Sequence, residues 1–269
     1  MLNAAFLIQA PGPTTIDWGK VLEIVGLLGA AGAAIRLRVE GLHSKYRVLF
    51  SYLIFRVLYC AIPLLLNPAS QIYEKLFICT QPVTWMFYIL MVRELYSLTL
   101  AAHRGLQTLG RWAMYVAVTI SVTVSMLSIL KRITPRTPQL SRILGYVFAI
   151  DRGVNFALVI FILLILLFLS RYPVTLSRNV VRHSTFLFVF FLSNATLVLL
   201  RTIYGRPASP QISLILAGIG TLAVLAWLFL LTPGGEETRR VVSIAPEHEE
   251  HILRQLDSLN ATLLKISRN

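Results

Sequence analysis

Arg56 is the only charged residue in the apolar stretch from Val48 to Leu66. An arginine in the middle of such a stretch cannot lose its charge, so it needs partners from within the fold. At helical spacing Tyr52, Tyr59, Cys60 and Pro63 share its face, and the two phenols offer hydroxyls that accept from a guanidinium and rings that stack on it. The chemistry these residues can do is that of a buried counter-ion or an anion site. A structural ion pair, a tyrosine cluster or a snorkelling side chain would use the same residues. Three carboxylates within apolar runs could answer the charge: Glu23, Glu94 and Asp151. Counting rise per residue puts each about two turns from Arg56. Arg56, Glu94 and Asp151 are therefore the candidate intramembrane polar site. In the bland alternative, Asp151 and Arg152 neutralise each other.

Other reactive residue types lack the spacing that chemistry needs. Arg93-Glu94-Leu95-Tyr96 bears a superficial likeness to the acidic-Arg-Tyr triplet of G-protein-coupled receptors, but the order is scrambled. These residues call instead for partners in the basic loops. His43, His103, His183, His248 and His251 fall on one side of the expected topology. His248 and His251 sit three apart with no third ligand, so no metal site is expected. Cys60 and Cys79 lie inside apolar runs and read as small buried hydrophobes. The last apolar run has no lysine for a retinal Schiff base, and Gln81-Pro82 reverses the dipeptide of PQ-loop transporters. The chain also has no G-x-S-x-G, Walker loop or H-E-x-x-H. A conventional membrane enzyme is not expected, and no cofactor is implied.

The elements that must hold these residues are membrane helices. The chain has 269 residues, 56% hydrophobic and 14% charged, and its mean hydropathy is +0.71. That is too apolar for a soluble domain of this size. The net charge of +13 comes from Lys and Arg clustered between apolar runs. There they set topology and meet anionic head groups, so the lipid bilayer is the expected partner and nucleic acid is not. Seven spans are predicted, at Ile16–Ile35, Val48–Leu66, Leu76–Leu100, Trp112–Leu130, Ile143–Ser170, Ser184–Leu200 and Ile212–Leu231. Gly26, Gly29, Ala30, Gly32 and Ala33 form a small-residue surface on the first, which lets another helix approach closely. Pro82 predicts a kink in the third, and Thr119, Ser121, Thr123, Ser125 and Ser128 give the fourth a polar face.

Met1–Thr15 has no basic residue, so it is expected to be retained and to lie outside. Arg36, Arg38, Lys45 and Arg47 in the first loop point to the cytoplasm. The expected orientation has the amino terminus outside and the carboxyl terminus inside the inner (plasma) membrane. The fourth loop, with Lys131, Arg132, Arg136 and Arg142, dissents. Trp18, Tyr73 and Tyr204 on one side, with Tyr46, Trp112 and Tyr172 on the other, fit interfacial belts.

The tail carries a second pattern. Ile252, Leu256, Leu259, Leu263 and Ile266 repeat at alternating steps of four and three, a heptad seam. So short a seam needs a partner: a second copy of the chain, a soluble cytoplasmic protein or the bundle's inner face. The segment RELYSLTLAAHRGLQTLGRW (Arg93–Trp112), the ending QLDSLNATLLKISRN and the arrangement over most of the chain resemble a family of bacterial seven-helix inner-membrane proteins. The resemblance brings no activity to any residue.

The expected fold is therefore all-α, a bundle of seven transmembrane helices with a carboxyl-terminal amphipathic helix. Its divisions are an outer segment 1–15, the transmembrane domain 16–231, a linker 232–245 and the helix 246–269. A receptor-like or regulatory module relaying through that helix is the leading expectation. The alternatives are a small-solute transporter or channel, lined by Arg56 and the polar face of the fourth helix, and a structural subunit of a membrane complex.

Overall fold

The computed structural model describes residues 17–65, 71–100, 104–130, 139–171, 176–204, 209–236, 238–239 and 258. Among them are seven α-helices: α1 (Trp18–Val39), α2 (Arg47–Leu65), α3 (Gln71–Thr99), α4 (Arg104–Leu130), α5 (Gln139–Arg171), α6 (Arg178–Tyr204) and α7 (Ser209–Leu230). Stretches this apolar fold as helices because a helix satisfies its own backbone N–H and C=O groups where no water can. Five of the helices, α3 to α7, are long and apolar enough to cross a membrane.

Local chemistry sets the ends. Asp17 caps α1, its carboxylate accepting from the Gly19 and Lys20 amides at 3.1 and 3.3 Å. Gly41, at φ 72°, turns the chain beyond α1 in the left-handed conformation that glycine tolerates. Ser177 caps α6 by accepting from the Val180 amide at 3.3 Å. α7 stops before Pro233, and the chain turns through a short 3-10 turn, Pro233–Glu236. Strands β1 (Leu176–Ser177) and β2 (Thr238–Arg239) then pair antiparallel, tying this return to the α5–α6 connection.

The packing is a ring with two additions. α1 packs on α2 and α7, α2 on α3, α3 on α6, and α6 on α7; α5 packs on α3 and α6, and α4 lies mainly against α5. The small-residue face of α1 is what closes the ring. A methyl added at Gly26 would stand 3.3 Å from Thr221 Oγ1, and one at Gly29 would stand 3.3 Å from both Val224 and Leu225. α4 and α5 meet more tightly still at Gly153, where an added carbon would lie 2.8 Å from the Val122 Cα. α4 turns Val116, Ile120, Val124 and Leu127 outward, a surface suited to hydrocarbon.

Several expectations are corrected. Tyr46 is 0% exposed and so is a core residue, not a member of an interfacial belt; Trp18, Trp112 and Tyr204 are exposed. Cys60 is buried, but Cys79 is exposed and free, because it points away from the helices that pack on α3. α6 begins at Arg178, six residues before the predicted span, since Ser177 and Asn179 supply end contacts that hydropathy does not register. The linker from residue 232 is not all spacer, because Pro233–Glu236 and β2 lie against the bundle. The heptad residues Ile252, Leu256, Leu259, Leu263 and Ile266 lie outside the described residues.

These contacts separate two glycine substitutions that are chemically identical. Gly153→Ala should destabilise the protein by about 1–3 kcal/mol through overpacking against the α4 backbone. Gly218→Ala, where nothing lies within 4 Å of the added carbon, should be neutral or stabilise by about 0.5–1 kcal/mol. Unfolding of both variants in detergent checks the difference.

Candidate functional site

The three members of the sequence-derived polar site do not come together. Arg56 donates from Nη1 to the Tyr52 hydroxyl at 3.1 Å, one turn earlier on α2. It makes no ion pair among the described residues. Its Nη2 lies against α7 at Gly220, where an added carbon would stand only 2.8 Å away. Its Nε is buried without a hydrogen-bond partner.

Each carboxylate has a different employment. Glu94 reaches from α3 to the start of α2, where its two oxygens accept from the Val48 and Leu49 amides at 2.9 and 3.3 Å. It thus satisfies amides that the first turn leaves without a partner and sits at the positive end of the helix dipole. Asp151 on α5 accepts from Trp85 Nε1 at 2.9 Å, joining α5 to α3. Glu23 has Asp17 and Lys20 as its charged neighbours on α1. Arg152 donates to the Ser125 carbonyl at 3.5 Å, so it serves α4 and is not a member of an Asp151–Arg152 pair.

A second constellation, which sequence reasoning missed, stands at the loop end of the bundle. Glu236, in the turn after α7, receives hydrogen bonds from Lys45 Nζ, from the Tyr46 hydroxyl at 2.9 Å and from Asn179 Nδ2 at 2.6 Å. Asn179 also donates to the Thr232 carbonyl at 2.7 Å. Gly235 is required beside it, because any side chain there would strike the Asn179 carboxamide. Arg36 and Arg182 donate to the carbonyls of Leu228 and Leu230, groups that the end of α7 leaves without helical partners. Glu236 therefore joins the α1–α2 turn, the first turn of α6 and the chain leaving α7. The available signal was an acid directly after Pro-Gly-Gly, with Asn179 and His183 four apart before an apolar run.

Burial raises the Glu236 carboxyl, but the bonds from Lys45, Asn179 and Tyr46 and the Lys45 charge outweigh it and hold the group below the ordinary glutamate range. Burial, and then the Glu236 charge, push the Tyr46 hydroxyl up, so it stays a donor.

Aromatic contacts link the two constellations. The Tyr46 ring lies 5.8 Å from His183, His183 lies 5.9 Å from Trp227, and Trp227 meets Tyr52 edge-on at 6.1 Å. Tyr52 in turn holds Arg56. His183 is 0% and Trp227 3% exposed, and both imidazole nitrogens and the indole Nε1 lack hydrogen-bond partners. Tyr46 and Arg56 stand about 15 Å apart along α2 at 1.5 Å per residue. A polar and aromatic column thus runs from the loop end into the interior.

The polar face of α4 does not join it. Ser121 donates to the Gly153 carbonyl at 2.9 Å, and Thr119 and Thr123 each bond back to their own helix at 2.8 Å. Among the described residues no cluster of three or more His, Cys, Asp and Glu could hold a metal ion. Comparison of the chain with protein-family models, with curated proteins and with solved structures finds no match.

Two predictions follow from these partners. Unfolding free energies of Arg56→Leu combined with Glu94→Leu should be additive to within about 0.5 kcal/mol, as for groups that share no contact. For Glu236 the sign is set by its lowered value. Its stabilisation is complete above the ordinary glutamate pKa of about 4.3 and is lost as pH falls through the lowered value. Acid titration of stability should therefore be shallower in Glu236→Gln than in the unaltered protein.

Proposed function

We propose that the protein is a receptor-like or regulatory module of the inner membrane, in which a change in the bundle interior is passed to the carboxyl-terminal tail. All seven helices span in this reading, with the amino terminus outside and the tail in the cytoplasm. The tail helix, 246–269, then contacts a second copy or a soluble partner through Ile252, Leu256, Leu259, Leu263 and Ile266. One observation carries the proposal: the root of the tail is fastened at Glu236 by three side chains to two separate parts of the bundle, the α1–α2 turn and the first turn of α6. One of those fastenings, Tyr46, also packs on the interior column through His183. A shift of α2 against α7 therefore changes the geometry at the point where the tail leaves.

The shared placement of the first loop, the α5–α6 connection and the residues after α7 supports the orientation. They are joined by Lys45–Glu236 and by β1–β2. Basic residues Arg36, Arg38, Lys45, Arg47 and Arg182 all lie at that end, as cytoplasmic loops require. The resemblance to bacterial seven-helix inner-membrane proteins agrees with this placement. The transporter alternative loses part of the lining expected for it, since the Ser121 hydroxyl is spent on α5 and those of Thr119 and Thr123 on α4 itself.

The test is made on the full chain in membranes. Leu256→Asp with Leu263→Asp should abolish tail cross-linking and partner pull-down while leaving the melting of the bundle unchanged. Unchanged cross-linking, native mass and pull-down would remove the relay. Solute flux in proteoliposomes, dependent on Arg56, would establish the transporter in its place.

A further inference from the structure

We infer that the bundle interior binds a small carboxylate-bearing molecule on the free edge of Arg56. This names a ligand class for the relay proposed above and rests on that reading only for its consequence at the tail. A guanidinium offers donors on two edges. Here Nη1 is taken by Tyr52, whereas Nε is buried without a hydrogen-bond partner and Nη2 makes no hydrogen bond among the described residues. The edge they form presents two parallel N–H groups, the fork that matches the two oxygens of a carboxylate. Gly220 lets Nη2 lie against α7, where any larger residue would collide.

The surroundings supply donors in excess. Trp227 Nε1 can only donate, and it is buried without an acceptor on the ring that meets Tyr52. His183 beyond it has no partner at either nitrogen, and a neutral imidazole brings one more donor. Burying such groups unsatisfied is costly, and so is holding a half-buried arginine, its Nε fully buried, without a counter-charge. Water can answer the neutral donors but not the charge. Two of the acids that might have answered it are engaged elsewhere, Glu94 on the α2 amides and Asp151 on Trp85, and Glu23 makes no ion pair with Arg56 among the described residues. An acceptor with a negative charge and two oxygens satisfies both demands at once.

The carboxylate could belong to a soluble organic acid or to a fatty acid drawn from the bilayer, and the arms of the experiment distinguish the two. Melting of the purified full chain in neutral detergent is followed in sodium acetate, sodium laurate or sodium chloride at matched ionic strength. A saturable rise in Tm with a carboxylate and none with chloride is expected. A rise with acetate identifies a soluble acid, and a rise with laurate alone identifies a lipid-borne one. Arg56→Gln should remove the shift. Arg56→Lys, which keeps the charge without the fork, should raise the half-saturating concentration about tenfold or more. Trp227→Phe, which removes one donor and keeps the packing, should weaken the response without abolishing it, and with Arg56→Lys carries the test if Arg56→Gln does not fold. Equal melting in all three salts, or a carboxylate shift that persists unchanged in Arg56→Lys and Trp227→Phe, overturns the site. A shift unaccompanied by any change in tail cross-linking supports the site and overturns the relay alone.

Discussion

A permanent charge held inside an apolar bundle constrains this fold more than any other single feature. Arg56 cannot be neutralised by losing a proton, so the helices around it must supply dipoles and close contacts. Tyr52 provides a hydroxyl one turn away, and Gly220 allows α7 to press against the guanidinium. α7 can come that near to α2 because α1, which lies against both, is small-faced at Gly26, Gly29, Ala30 and Ala33. The glycine-rich face of α1 and the arginine of α2 are thus parts of one packing solution. Enlarging the first would push away the helix that encloses the second.

The carboxylates show how acids are used when the bundle has few of them. Glu94 and Glu236 act at helix ends, where amides lack helical partners or where a lysine, a phenol and a carboxamide converge. Asp151 holds an indole N–H and so pins α5 to α3. Each choice favours a hydrogen bond with fixed geometry to a nearby donor. The result is a bundle tied together at its loop end, with Arg56 in no ion pair and the Trp227 and His183 nitrogens without partners among the described residues.

That asymmetry gives the molecule a direction. The loop end is latched through Glu236, and the column Tyr46–His183–Trp227–Tyr52–Arg56 leads inward from the latch. α4 stands outside this arrangement, packed chiefly on α5 and apolar on its outer face. The Thr119, Ser121 and Thr123 hydroxyls, which make α4 look like a channel wall in the sequence, are satisfied locally, because serine and threonine bond readily to carbonyls of their own or a closely packed helix.

Hydropathy and its interruptions determined seven helices at close to their observed places, since a backbone in an apolar setting has one local solution. The small-residue face of α1, the stop after α7 and the isolation of Arg56 in its apolar run were equally legible, because each depends on residue type alone. Which groups would meet was not. Rise per residue placed Glu94 and Asp151 within reach of Arg56, but depth says nothing about which helix faces which. The ring order put Glu94 over the α2 amides and Asp151 beside Trp85. The latch at Glu236 was hidden for the same reason, since Lys45, Asn179 and Glu236 are far apart in the chain and only the folded end of the bundle brings them together. Tertiary packing decides partners because a charged side chain chooses among donors supplied by other helices, and helix neighbours are a non-local property of the whole chain.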